Sequence, residues 1–264
     1  AFFQRGCVGA SFRLIPAKIP DFEGLGLPEV IESFCLKSKG LVLITGPTGH
    51  GKSTTQAAII DFINQNRKRH IVTVENPIEF VHQNQMSYID QREVGFDTRS
   101  FSSALTHVLR QDPDVILVGE IRDTESISTA LTAAETGHMV ITTLHTNDAA
   151  QSIDRIIDVF PPHQQTQVRT QLASCLIAVV SQILVPRADG SGRTLASEVL
   201  LNTPAVRNLV REGKTQQITS IIETQGNAGM HTMDSSLQRL LREGLIRRED
   251  ALAHVTAPHV LKDR

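Results

Sequence analysis

Gly46-Pro47-Thr48-Gly49-His50-Gly51-Lys52-Ser53-Thr54 decides how the rest of this chain is read. The stretch satisfies the pattern G-x-x-x-x-G-K-[ST], and its flanks are the ones that pattern requires. Upstream, Gly40-Leu41-Val42-Leu43-Ile44-Thr45 is a short apolar, β-branched run; downstream, Thr54 to Ile63 has helical periodicity, so the order is strand, glycine loop, helix. Amides of such a loop and of the first helical turn point at an anion, and the helix dipole adds to the attraction. Gly46, Gly49 and Gly51 let the backbone approach a polyphosphate, with Thr48, His50 and Thr54 completing the cradle. Lys52 is expected to reach the β- and γ-phosphates and Ser53 to bind Mg²⁺. The ligand class is a nucleoside triphosphate.

The chain has 264 residues, 40% hydrophobic and 20% charged, enough for one large α/β domain or two small ones. Its net charge of −2 gives no whole-molecule attraction to nucleic acid or anionic lipid, so no nucleic acid is expected as partner. Cys7, Cys35 and Cys175 lie far apart and in no metal-ligand spacing, which fits free thiols in a reducing compartment, the cytoplasm. The most apolar run, Leu172 to Val185, is interrupted by Ser174, Ser181 and Gln182 and falls short of the ~20 residues of a membrane helix. Starting at Ala1 in apparent mid-domain sequence, the chain reads as truncated at its N-terminus. Residues 1–20 then form the end of a preceding domain and a Pro-containing connector at 15–20. Residues 21–264 form the nucleotide-binding domain, with 203–264 its helical C-terminal part.

Reading outward, His70 to Val74 is a β-branched strand ending in Glu75-Asn76-Pro77-Ile78-Glu79. The C-terminal edge of a parallel sheet is where ligands bind, so Glu75 and Glu79 are candidates for the metal, its waters or the attacking water; the alternative is a solvated loop. Val115-Ile116-Leu117-Val118 suits a central parallel strand, and Glu120 just beyond it can hold the Mg²⁺ shell or act as general base. The arginines at 92, 99 and 110, the first read as part of a loop at Gln91–Gly95, are either surface charges or groups that neutralise γ-phosphate charge. His138 and His145 flank a strand, His145 at the end where a γ-phosphate is sensed and His138 at the end facing a loop or a subunit. Helices are predicted over Ser100–Arg110, Glu125–Thr136, Asp148–Val159 and Gln164–Val179. A hairpin follows, pairing 182–185 with 194–200, and then helices at 204–214, 215–223, 234–242 and 247–255.

Glu75-Asn76-Pro77-Ile78-Glu79, Gly119-Glu120-Ile121-Arg122-Asp123, Gly137-His138 and Thr143-Leu144-His145-Thr146 resemble the acidic box, Walker B and His box of the secretion ATPase superfamily of type II secretion, type IV pili and DNA-transfer systems. Gln91-Arg92-Glu93-Val94, Ala133 to His138, Asp154 to Pro161 and Ala205 to Glu212 look like its pilus retraction branch, and no paired CxxC element of the extension and secretion relatives is present. The resemblance covers about residue 20 to the end. It implies a RecA-like P-loop NTPase fold with a mostly parallel sheet, and a hexamer that hydrolyses ATP with Mg to withdraw pilin subunits through an inner-membrane platform protein. Such a protein works peripherally at the inner face of the cytoplasmic membrane. It also implies Glu120 as catalytic glutamate, Glu75 and Glu79 in the acidic box, and His145 near the γ-phosphate. Two positions depart from the pattern: His50 stands where a small residue is common, and Asn76 where an acid is usual. A pilus extension, type II secretion or DNA-transfer ATPase is the nearest alternative, and a nucleotide-binding regulatory subunit without turnover the alternative of another class.

Overall fold

The structure, a computed structural model, describes residues 1–12, 18–258 and 261. Strands β1 (Phe2–Gln4) and β2 (Cys7–Gly9) pair antiparallel as a small hairpin. The connector expected at 15–20 falls in part on residues 13–17, outside the described residues. Next come α1 (Phe22–Leu25), α2 (Val30–Cys35), β3 (Gly40–Thr45), α3 (Lys52–Asn66), β4 (His70–Glu75), β5 (Tyr88–Glu93), α4 (Phe101–Val108), β6 (Val115–Val118), α5 (Thr124–Thr136) and β7 (Met139–Leu144). The chain ends with α6 (Ala149–Asp158), α7 (Pro162–Cys175), β8 (Leu176–Pro186), β9 (Arg193–Leu201), α8 (Pro204–Glu212), α9 (Ile218–Thr224), α10 (Met233–Arg242) and α11 (Arg248–Leu252). Among the described residues no helix is long and apolar enough to cross a membrane.

The large sheet has seven strands in the order β5-β4-β6-β7-β3-β8-β9, all parallel except β9, which pairs antiparallel with β8. Every residue of β3, β6 and β7 is buried, because helices cover both faces. Leu41 and Leu43 join Val72, Val74, Ile116 and Val140 under α4 to α9, while Val42 and Ile44 join Ile71, Leu117 and Ile141 under α1, α2 and α3. A third cluster packs α10 and α11 on the hairpin through Ile183, Val185, Leu237, Leu240 and Ala251. The predicted strand–loop–helix and the acid-ended strands agree with this architecture, and so, to within a few residues, do the predicted helices other than Gln164–Val179; Ser100, Asp123 and Asp148 cap α4, α5 and α6 by accepting from the amide three residues on.

Two predicted boundaries are corrected. The helix expected to reach Val179 ends at Cys175, and residues from Leu176 onward form an 11-residue strand between β3 and β9. Periodicity cannot separate helix from strand in so continuous an apolar run; pairing with β3 decides it. Gln91 and its neighbours are not a loop but the end of edge strand β5, whose polar residues hide the strand pattern because only one long side of β5 is paired.

Candidate active site

The glycine loop runs from the end of β3 into α3. Gly46 has φ 139°, and a Cβ there would stand 2.2 Å from the Gln182 carbonyl oxygen, so only glycine fits against β8. Gly51, at φ 83° and ψ 13°, precedes α3 without any side-chain cap, so the first helical amides face the loop's interior. Lys52 is 8% exposed and donates through Nζ to the carbonyls of Gly46 at 2.7 Å and Pro47 at 2.9 Å. Burial pulls its pKa below the usual lysine range, and Glu120 opposes that shift.

Strand β8 holds the loop from the side. Gln182 donates from Nε2 to the His50 carbonyl at 2.7 Å, the Leu184 amide donates to His50 Nδ1 at 2.9 Å, and the Arg193 guanidinium donates to the Gly49 carbonyl at 3.1 Å. His50, expected in the phosphate cradle, therefore also tethers the loop to the hairpin, which accounts for a histidine where a small residue is common. A ring nitrogen that accepts from an amide must be unprotonated, and the pKa of His50 is lowered accordingly, by burial first and then by His254, Arg193 and Lys52.

Three strand ends bring acids and a histidine to this loop. Glu120, just beyond β6, accepts from Arg122 at 2.7 Å and lies 3.4 Å from His145 Nε2; His145 Nδ1 lies 3.4 Å from both Lys52 Nζ and Thr48 Oγ1. Since an ammonium only donates, Nδ1 is the acceptor and Nε2 carries the proton toward Glu120. The strand end is fixed by Thr143, whose hydroxyl donates to the Gly119 carbonyl at 2.6 Å. On the other side, Ser53 donates to Glu79 at 3.1 Å. Glu75 accepts from Thr73 at 2.7 Å and Gln91 at 3.2 Å; burial pushes its carboxyl up, and these hydrogen bonds oppose the shift.

The residues fit a magnesium nucleotide. A hydroxyl in the first turn of α3 and a carboxylate in the loop after β4, beside a lysine, are the oxygen donors that Mg²⁺ accepts while keeping phosphate and water ligands. Among the described residues no cluster of three His, Cys, Asp or Glu could cage a metal by itself.

Two expected site residues are not brought to the loop. His138 precedes β7, whose Met139 pairs with Gly40 at the far end of β3, about 20 Å from the loop at ~3.3 Å per residue. Its Nδ1 lies 3.1 Å from the Ala133 carbonyl. Arg110 is exposed just past α4, four residues before Asp114, whose amide bonds the first residue of β4. Because α4 runs back across the sheet, its last turn lies at the edge opposite the loop. Thr54 lies in the first turn of α3 as expected. Arg122 and Gln182 were missed as site residues. The signal for Gln182 was its polarity inside an apolar run, and for Arg122 its position two residues after Glu120.

The family described as type II/IV secretion system protein matches residues 21–252. The chain is 50% identical over 258 residues to the type IV pilus retractation ATPase PilT of Pseudomonas aeruginosa, covering 98% of this chain and 75% of that protein. It is 53% identical over 242 residues to a twitching motility protein of Neisseria gonorrhoeae, covering 92% of this chain and 65% of the relative. A crystal structure of the pilus retraction motor PilT with bound ADP superimposes with a TM-score of 0.92 at 50% identity, over 98% of this chain and 73% of that one.

Proposed function

The chain belongs to the type II/IV secretion system protein family, and from that premise we propose that it is the motor domain of a type IV pilus retraction ATPase. It hydrolyses ATP to ADP and phosphate and converts the cycle into withdrawal of pilin subunits through an inner-membrane platform protein. It works as a homohexamer at the cytoplasmic face of that membrane. The observation that carries the catalytic part of this reading is the line Lys52, His145, Glu120 at the mouth of the glycine loop, with Ser53 and Glu79 beside it.

Lys52 neutralises charge on the β- and γ-phosphates once its ammonium turns from the Gly46 and Pro47 carbonyls. Ser53 and Glu79, with Glu120 nearby, would hold Mg²⁺, which when bound would supply further charge neutralisation on the phosphates. Glu120, steadied by Arg122 and His145, takes a proton from the attacking water as the bond from that oxygen to the γ-phosphorus forms and the bond to ADP breaks. His145 faces both Lys52 and Glu120 and so stands where loss of the γ-phosphate is felt. Glu75, inside its hydrogen-bonded ring, braces the loop that carries Glu79.

Glu120→Gln is expected to lower kcat by about 100-fold or more while nucleotide affinity persists, since general-base groups contribute 10²- to 10⁴-fold. Wild-type turnover no higher than that of the variant would overturn hydrolysis and favour a regulatory subunit. In cells, loss of the gene should leave long, non-retracting pili; bald cells would instead indicate an extension motor.

A further inference from the structure

The Glu75 carboxylate and the backbone of the acidic segment are held by a residue on a different strand. Gln91 stands opposite Thr73 in the β4–β5 register, so Thr73, Glu75 and Gln91 share the sheet face covered by α3. Its amide makes three contacts: Nε2 donates to Glu75 Oε1 at 3.2 Å and to the Phe80 carbonyl at 2.9 Å, and Oε1 accepts from the His82 amide at 2.7 Å. One orientation alone satisfies all three, because the backbone fixes a donor at His82 and an acceptor at Phe80. Two residues along, Glu93 accepts from the Ile78 amide at 3.0 Å. The segment 76–82 is thereby closed against β5 on both sides of Glu79, and Glu79 meets Ser53 from that closed loop. Buried Asn64 of α3 pins the chain beyond it, donating to the Gln83 carbonyl at 2.8 Å and accepting from the Gln85 amide at 3.1 Å.

We infer that Gln91 is a positioning residue for ATP hydrolysis: its amide sets Glu75 and the loop bearing Glu79, so that Glu79 is presented to Ser53 where the nucleotide's metal is held. Gln91 touches neither phosphate nor metal. It acts through Glu75 and the loop backbone, as outer-shell hydrogen bonds act on ligands. The inference depends on the hydrolytic reading given above.

The test compares Gln91→Met, equal in length and without hydrogen bonds, and Gln91→Glu, which keeps an acceptor for His82 but removes both donors and adds a charge beside Glu75. Each is measured for turnover against Mg²⁺ concentration, for affinity toward a fluorescent non-hydrolysable ATP analogue in EDTA, and for that affinity as Mg²⁺ is added. In both variants the Mg²⁺ midpoint should rise and kcat fall by about tenfold, the lower end of outer-shell effects, while metal-free affinity stays within about twofold. If Gln91→Met does not fold, Gln91→Glu carries the same expectation. A merely structural glutamine would lower the melting temperature and leave the Mg²⁺ midpoint at its wild-type value, and that result overturns the inference. Ser53→Ala is run beside them. If wild type and Ser53→Ala both lack Mg²⁺-dependent turnover, the hydrolytic reading fails and this one with it. If they differ as expected while both Gln91 variants match wild type, this inference fails alone.

Discussion

At the scale of single residues, His50 shows how one side chain can be obscure in sequence and plain in space. Its ring accepts the Leu184 amide from 134 positions away, and its carbonyl accepts Gln182. Replacing it by alanine leaves that amide without a partner, so His50→Ala should cost about 1 kcal/mol in urea unfolding and weaken nucleotide binding through a looser loop. The pH dependence has a definite sign. The folded pKa of His50 is lowered, so its contribution is present above the ordinary 6.5 and is lost as pH falls through the depressed folded value. Loop-dependent nucleotide affinity should therefore fall on acidification more steeply in wild type than in His50→Ala, and equal pH profiles would contradict this. Glu120 presents the opposite case. Its place at the site was legible because a charge at the end of four apolar residues needs a partner, although the partners, Arg122 and His145, required the fold.

Among elements, the hairpin of β8 and β9 does more than close the sheet. Glu198 of β9 is buried and accepts the Ala149 amide at 2.9 Å, at the start of the helix that follows His145. Burial pushes its carboxyl from 4.5 up to about 6, with the amides of Ala149 and Met233 opposing and the acids Asp148 and Asp234 adding to it. A raised carboxyl binds protons preferentially in the folded state, so its contribution is full below about pH 4.5 and is lost as pH rises past about 6, some 2 kcal/mol at 1.36 kcal/mol per unit. Glu198→Gln should flatten that part of the stability profile, as read by urea unfolding at pH 4.5 and pH 7; an unchanged slope would discount the side chain. Helices with a capping residue and a glycine stop, such as α5 between Asp123 and Gly137, were legible end to end. The boundary between α7 and β8 was not, because an apolar run buried from both sides carries neither period and takes its conformation from the strand it pairs with.

For the whole molecule, the strand order assembles the site. β3 lies between β7 and β8, and β6 lies between β7 and β4, so the ends bearing Lys52, His145, Glu120 and Glu75 stand at one edge of the sheet. The same order sends His138 and Arg110 to the opposite edge. In the proposed ring, an arginine exposed on one copy, such as Arg99 or Arg110, is available to a neighbour's nucleotide. Turnover per chain should then rise with protein concentration, in step with a sixfold increase in sedimenting mass when ATP analogue and Mg²⁺ are present; constant turnover from a monomer would remove the ring from the account. The sequence by itself determined the phosphate loop, the parallel α/β class and the acids at strand ends, because each is written in contiguous residues whose spacing sets local geometry. Only the tertiary structure decided which strand ends coincide, which strand clamps His50 and which glutamine steadies Glu75. Those contacts join residues from 16 to 134 positions apart, and they follow from how the sheet buries both faces rather than from any local pattern.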